Sequence, residues 1–258
     1  MSDRLPDSSR HSSGGFETTW THLDAAAVYD RIVTENPTHQ ALFERMATVI
    51  AAINATHIVD VGGGTALLAQ TLRTRGVETP VTIVDPSKEM LQIAHSRNVR
   101  GVQLVHKGFG DHTIDRASPD NRVLVVSSYT AHNFSPDTRR WLFTWLQRNL
   151  KPGEVFLNGD TVADEPISER NRRVMRAGHF LRAVGAQHWM GREDIPFPEK
   201  ANILAHTLID DPASAPDFDE CRHLARANGF AIEETWRDPE SYLSLLRYTK
   251  QEEVAIGT

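Results

Sequence analysis

The run "VDVGGGTALLAQ", residues 59–70, sets a carboxylate, Asp60, just ahead of three consecutive glycines, Gly62, Gly63 and Gly64. Glycines after an apolar, β-branched run let a small molecule approach the main chain without meeting side chains. Dinucleotide sites use such a turn with the spacing Gly-x-Gly-x-x-Gly. Here the third glycine position holds Leu67, and Asp60 at the mouth of the turn would repel a pyrophosphate. A ligand carrying an ammonium reverses that argument. Asp85 closes the next apolar run, "VTIVD", where an acid commonly accepts hydrogen bonds from both hydroxyls of a ribose. Asp111 follows a third run in "KGFGDH", placed to accept from an adenine amino group. Ammonium, ribose and adenine together describe the ligand these acids would suit.

Two further groups could act on a second reactant. In "SSYTAHNF" (127–134), His132 has an imidazole suited to proton abstraction near neutral pH, and Tyr129 stands beside it. The other reading is that His132 caps the following helix or fixes the loop, and that Tyr129 lines a pocket. In "SERNRRVMRAGHFLR", Arg172 and Arg176 are four apart and share a helical face, a pattern that can recognise an anion. A solvated basic face is the commoner explanation of such a pattern. His179 in that stretch and Trp189 beyond it, both within 161–215, would suit a flat substrate, or simply core packing. The histidines show no metal-ligand spacing, so no metal is expected.

These residues need elements to hold them. Apolar strands are expected at 56–61, 81–85, 101–106 and 122–128, and 150–160 reads as a turn and a fifth strand; they alternate with amphipathic helices, two of them capped by Ser87 and Ser135. Strand–helix alternation predicts a doubly wound, mostly parallel sheet with helices on both faces. Two helices precede it within 20–55, and "AIEETWR" and "SYLSLLRYTK" read as two closing strands, for seven in all. Residues 1–19 read as a disordered tail, 20–258 as one domain, and 161–215 as a helical insertion that breaks the rhythm.

Composition narrows the classes. A net charge of −6 argues against a broad nucleic-acid-binding face. One cysteine, Cys221, excludes an internal disulfide and a cysteine-rich metal site. No apolar stretch approaches the ~18 to 20 residues that span a bilayer, and the N-terminal residues lack a signal-peptide core. A cytoplasmic location is expected.

The ordered set "VDVGGGTA…VTIVDPSKEML…GFGDH…VLVVSSYTAHNF…LKPGEVFLNGD…ARANGF" resembles class I S-adenosylmethionine-dependent methyltransferases. It is most similar to their small-molecule branch, which includes quinone-biosynthesis enzymes. The resemblance implies a Rossmann-like seven-stranded sheet, S-adenosylmethionine as cofactor, and a lid over the acceptor formed by the 161–215 insertion. It implies a cofactor site of Tyr29, Asp60, Gly62, Gly63, Gly64, Asp85, Pro86, Met90, Asp111, His112, Ser127 and Ser128. His132 and Tyr129 would be the catalytic candidates, and Arg172, Arg176, His179 and Trp189 the substrate-binding ones. Ala66 replaces a frequent glycine, a mild departure, and Glu154 replaces the second glycine of "LKPG", where it should matter little.

The expected activity is methyl transfer to a small-molecule metabolite, anionic or aromatic, on oxygen, nitrogen or carbon. RNA or tRNA methylation is the second reading, disfavoured by the charge and by "SSYTAHNF" in place of Asn/Asp-Pro-Pro-aromatic. A protein that binds S-adenosylmethionine but catalyses another reaction would show the same cofactor motifs. A nicotinamide oxidoreductase ranks last. A small-molecule acceptor is the expected partner, with no membrane and a homodimer left open.

Overall fold

The computed structural model describes residues 23–35, 37–116, 118, 120–162, 216–238 and 243–252. Two helices lead, α1 (Leu23–Glu35) and α2 (Pro37–Ala52), the second opening on a proline, whose missing N–H is harmless there. β1 (His57–Val61), α3 (Leu67–Thr74), β2 (Val81–Asp85), α4 (Lys88–Arg97) and β3 (Val102–His106) then alternate. β4 (Val123–Ser128), α5 (Pro136–Asn149) and β5 (Val155–Thr161) continue the pattern. After α6 (Phe218–Ala227), β6 (Phe230–Arg237) and β7 (Leu243–Lys250) close the sheet.

The seven strands lie in the order β3-β2-β1-β4-β5-β7-β6. β1 to β5 pair in parallel, each joined by a crossover. β7 runs antiparallel to both β5 and β6. The order reverses between β1 and β4, so the loops leaving these two strands diverge and open a crevice at their carboxyl ends. This is the expected doubly wound, mostly parallel sheet.

Period-two alternation sorts the core. Ile58, Ile83, Leu124, Val126 and Leu157 join Leu42, Met46 and Ile50 of α2 and Leu68 and Leu72 of α3 on one face. Val59, Val125, Phe156 and Tyr248 join Leu142, Phe143 and Leu146 of α5 and Leu224 of α6 on the other. Gly159 on β5 lets α2 seat on bare backbone, since a Cβ there would lie 2.6 Å from Met46 Sδ.

Ser87 and Ser135 cap α4 and α5 as expected, accepting from the N–H groups of Met90 and Thr138. α3 starts at Leu67, later than its apolar pattern suggests, because Ala66 is left-handed with φ 68°. A side chain in that region costs roughly 1–2 kcal/mol.

Glu154, expected to matter little, instead centres a buried clasp. Both its oxygens accept from the Arg116 guanidinium at 2.6 Å, and the backbone N–H groups of Val123 and Lys151 add bonds of 2.8 and 2.7 Å. Arg116 also donates to the carbonyls of Asn121 and Asn149. The clasp ties the start of β4 to the start of β5. The 1–19 tail lies outside the described residues, as does nearly all of the 161–215 insertion, including Arg172, Arg176, His179 and Trp189.

Candidate active site

A cleft of about 570 Å³, counting its solvent-open part, lies where the strand order reverses. Gly62, Gly63 and Gly64 form one wall, Asp85, Ser87 and Met90 a second, and Ser128 to Thr130 with Asn133 a third. Tyr29 and Val33 of α1 and Phe43 of α2 cover it.

Each glycine is required for its own reason. Gly62 is left-handed (φ 69°), and a Cβ on it would come within 2.3 Å of Thr130 Cγ2. Thr130 Oγ1 donates to the Gly62 carbonyl at 3.0 Å, pinning the loop after β1 to the turn after β4. A Cβ on Gly63 would lie 2.7 Å from the Asp60 carboxyl carbon. Gly64, also left-handed (φ 51°), has only Gly62 O and Met90 Sδ near its absent Cβ, both at 3.9 Å, and so bares its backbone to the cleft.

Asp60 differs from its expected place. It lies beneath Gly63, not at the mouth of the turn, with 1% of its surface exposed. Neither carboxylate oxygen has a hydrogen-bond partner. Burial first, and then the charge of Asp85, pushes its carboxyl up to about 7. Asp85, at the end of β2, accepts from the N–H of Gly64 at 3.0 Å and of Ser87 at 2.8 Å. Burial raises it to about 6 against the lowering effect of those two bonds. An uncompensated buried carboxylate is costly, so Asp60 is an acid waiting for a cation. The residues present therefore fit a ligand that carries an ammonium.

Other polar atoms are likewise unpaired. Ser127 Oγ and the Tyr129 hydroxyl are buried without hydrogen-bond partners. Tyr129 is left-handed (φ 51°) and packs its ring on His39, centroids 4.2 Å apart, and edge-on to Phe43. Burial, then the neighbouring Tyr29, Asp160 and Asp238, raises its hydroxyl well above the usual range.

Several expected residues stand apart from the cleft. Pro86 is exposed, its carbonyl bonded to His106, and Asp111 is exposed on a short 3₁₀ turn (Phe109–Asp111). His112 is half-buried, its carbonyl accepting from Trp145 Nε1. None of the three lines the cleft. His132 sits on a 3₁₀ turn (Ala131–Asn133) between the lining residues Thr130 and Asn133. Its ring Nδ1 is 2.5 Å from Asp160 Oδ1, and its N–H donates to Asp160 Oδ2 at 3.0 Å. It does not cap α5, whose cap is Ser135.

Sequence reasoning missed Val33, Phe43, Thr130, Asn133 and Asp160. Asp160 had a readable signal, an acid ending an apolar strand at the sheet's carboxyl edge. The others carry no local signature. Among the described residues no cluster of three or more His, Cys, Asp or Glu could hold a metal, and no helix is long and apolar enough to cross a membrane.

The fold and the glycine–carboxylate crevice define a class, and comparison with known proteins agrees with it. Residues 58–153 match the family model for a methyltransferase domain. No curated protein sequence matches the chain. Among solved structures, a candidate S-adenosylmethionine-dependent methyltransferase from Methanococcus maripaludis is 17% identical with a TM-score of 0.58, over 99% of this chain and 100% of its own. The YcgJ protein from Bacillus subtilis is 16% identical with a TM-score of 0.57, over 83% of this chain and 100% of its own. Human N-acetylserotonin methyltransferase, in complex with S-adenosylmethionine, is 14% identical with a TM-score of 0.57, over 93% of this chain. This chain spans 60% of that human enzyme and 51% of the methyltransferase SibL. At such identities the shared feature is the fold. Residues 58–153 match a methyltransferase domain, and the seven-stranded sheet has the fold of class I S-adenosylmethionine-dependent methyltransferases.

Proposed function

We propose that the chain transfers a methyl group from S-adenosylmethionine to a small-molecule metabolite. The observation that carries this is the orphaned carboxylate of Asp60 beneath the glycine loop. Asp60 would hold the ammonium end of the cofactor, and Gly64 and Ser128 would meet it with backbone. Asp85 would take the ribose hydroxyls with lone pairs not used by Gly64 and Ser87. Met90 would pack on the adenine, and Tyr29 would cover the site from α1. The cofactor supplies a methyl carbon made electrophilic by its sulfonium.

The chain's own contribution is mainly positioning, which can supply several kcal/mol of barrier reduction when reactants are held in line. Val33, Phe43 and Tyr129 make an apolar wall on the side of the cleft facing the N-terminal helices. That wall suits a flat acceptor of metabolite size. The net charge of −6 weighs against a nucleic-acid substrate.

Calorimetric titration with S-adenosylhomocysteine, with NAD as control, tests the reading. Micromolar binding of the first alone is expected. Equal binding of both, or of NAD alone, would sink it.

A further inference from the structure

Two unfavourable features meet at one residue of the cleft wall, Tyr129. It is left-handed at φ 51°, where an aromatic residue is an outlier. Its hydroxyl is buried without a hydrogen-bond partner, although the residue lines the cleft. The backbone is fastened into this conformation. The Tyr129 N–H donates to the Gly159 carbonyl of β5 at 3.0 Å, and Thr130 Oγ1 lies 3.0 Å from the carbonyls of both Gly62 and Ser128. The ring is held as well, its centroid 4.2 Å from that of His39 and 6.0 Å from that of Phe43, both on α2. Strain and an unsatisfied polar group, concentrated at one residue of a cleft, point to a ligand that uses them.

The surroundings say what that ligand offers. The titratable groups that act on the hydroxyl are Tyr29, Asp160 and Asp238, and not Asp60 or Asp85, the acids of the cofactor side. The hydroxyl therefore belongs to the acceptor side. Beside it, the Val33 and Phe43 side chains of the cleft wall offer no hydrogen-bond acceptor. A hydroxyl can leave lone pairs idle, but its single proton needs an acceptor. Burial and the neighbouring acids keep that proton on the oxygen. An anionic ligand would be repelled by Asp160 and Asp238, and a cationic one by the sulfonium of the cofactor. A neutral ring that carries a carbonyl meets all of these conditions.

We infer that Tyr129 sets acceptor specificity: its hydroxyl donates a hydrogen bond to the carbonyl oxygen of a neutral, flat ring lying against Val33 and Phe43. This rests on the cofactor reading above and adds the group that orients the acceptor. The apolar wall fixes the plane of the ring, and the bond to Tyr129 fixes its rotation within that plane. Both restrictions serve an in-line transfer, which depends on alignment. A ring without the carbonyl would leave the hydroxyl unpaired once water is displaced, and is discriminated against for that reason.

The test uses the full chain loaded with S-adenosylhomocysteine and two pairs of probes, 4-chromanone with chroman and 1-tetralone with tetralin. The members of a pair differ only in the carbonyl, so their affinity ratio cancels most of what the ring contributes. From wild type to Tyr129→Phe, the preference for the ketone should fall about fivefold or more, the worth of one neutral hydrogen bond. Isotope-edited infrared spectra should place the ¹³C-labelled carbonyl stretch of the bound ketone lower in wild type than in Tyr129→Phe. S-adenosylhomocysteine should bind the two proteins within about threefold of each other. Ligand-free Tyr129→Phe should melt no lower than wild type, because the hydroxyl it loses has no internal partner. If Tyr129→Phe does not fold, the stretch in wild type carries the test, and it must lie below that of the ketone in an apolar solvent. The inference is overturned if neither ketone binds loaded wild type, or if the preference and the stretch are the same in both proteins. A tenfold loss of S-adenosylhomocysteine affinity in Tyr129→Phe would also overturn it, since the hydroxyl would then serve the cofactor. Failure of wild type to bind S-adenosylhomocysteine would instead strike the cofactor reading.

Discussion

Two buried acids at opposite ends of the same sheet are treated in opposite ways. Glu154, at the amino ends of β4 and β5, collects a bidentate guanidinium and two backbone N–H groups. Burial works to raise its carboxyl, but the Arg116 hydrogen bonds and those of Val123 and Lys151 outweigh it and hold it below the ordinary value. Asp60, near the carboxyl end of β1, is as deeply buried and collects nothing. The first acid is spent on the fold. The second is held in reserve at a cost to stability, which is what a binding site for a cation requires. The position in the sheet decides the difference, because only the carboxyl edge opens at the strand-order reversal.

The strongest way to break this contrast is to remove Glu154. Glu154→Ala should lose about 2–3 kcal/mol of stability, since the partly buried Arg116 loses its bidentate partner and the buried N–H of Val123 its acceptor. Urea unfolding would measure the loss, and calorimetry should find S-adenosylhomocysteine affinity in the folded variant unchanged. A loss of less than about 1 kcal/mol would mean that the clasp is not structural.

The pH dependence of the two acids should run in opposite directions. Asp60 rises from 3.8 to about 7 on folding, so its contribution is fully present below about 4 and is lost as the pH climbs through 7. At about 1.4 kcal/mol per pH unit, the ligand-free protein should lose about 2–3 kcal/mol from Asp60 between pH 5 and 8. Asp85, raised to about 6, adds to that loss over the lower part of the window. Glu154, lowered on folding, contributes above its unfolded value and loses that contribution as the pH falls. Denaturant unfolding of wild type and Asp60→Asn across the range would separate these effects. The slope due to Asp60 must vanish in the variant.

Next in size is the function of the reserve itself. Asp60→Asn should bind S-adenosylhomocysteine at least about thirtyfold more weakly, roughly the 2 kcal/mol of a lost charged hydrogen bond. The same variant should be more stable than wild type at pH 8 without ligand. Weaker binding with no gain in stability would show that Asp60 is compensated in some other way.

The smallest expected effect concerns the loop. Ala66 occupies a left-handed position, so Ala66→Gly should stabilise by up to about 1 kcal/mol, the relief of its side-chain strain less the added chain entropy. Thermal unfolding would read it, and a clear loss of stability would show that packing of the buried Ala66 methyl outweighs the strain.

Much of this was legible along the chain. The seven apolar runs, the Ser87 and Ser135 caps and the glycine loop are local signals, and each lies within a few residues of what it governs. Asp85, Met90 and Tyr29 were named from short motifs and do line the cleft. Asp111 and His112 were named in the same way and do not, because the turn after β3 carries Asp111 out to solvent. A motif specifies which residue is present, and the path of the loop specifies where it points.

Residue types and spacing alone determined the alternating sheet, its parallel core and the acids at its strand ends. Hydrophobic periodicity and capping act over a turn of helix or a length of strand, so they need no partner from elsewhere. Only the tertiary structure decided which acid would be satisfied. Glu154 meets Arg116, 38 positions away, and Thr130 closes on Gly62 across 68 positions. His132 acquires its orientation from Asp160, 28 positions further on. Such pairings follow from strand order and the packing of whole layers, and no window along the chain contains both partners.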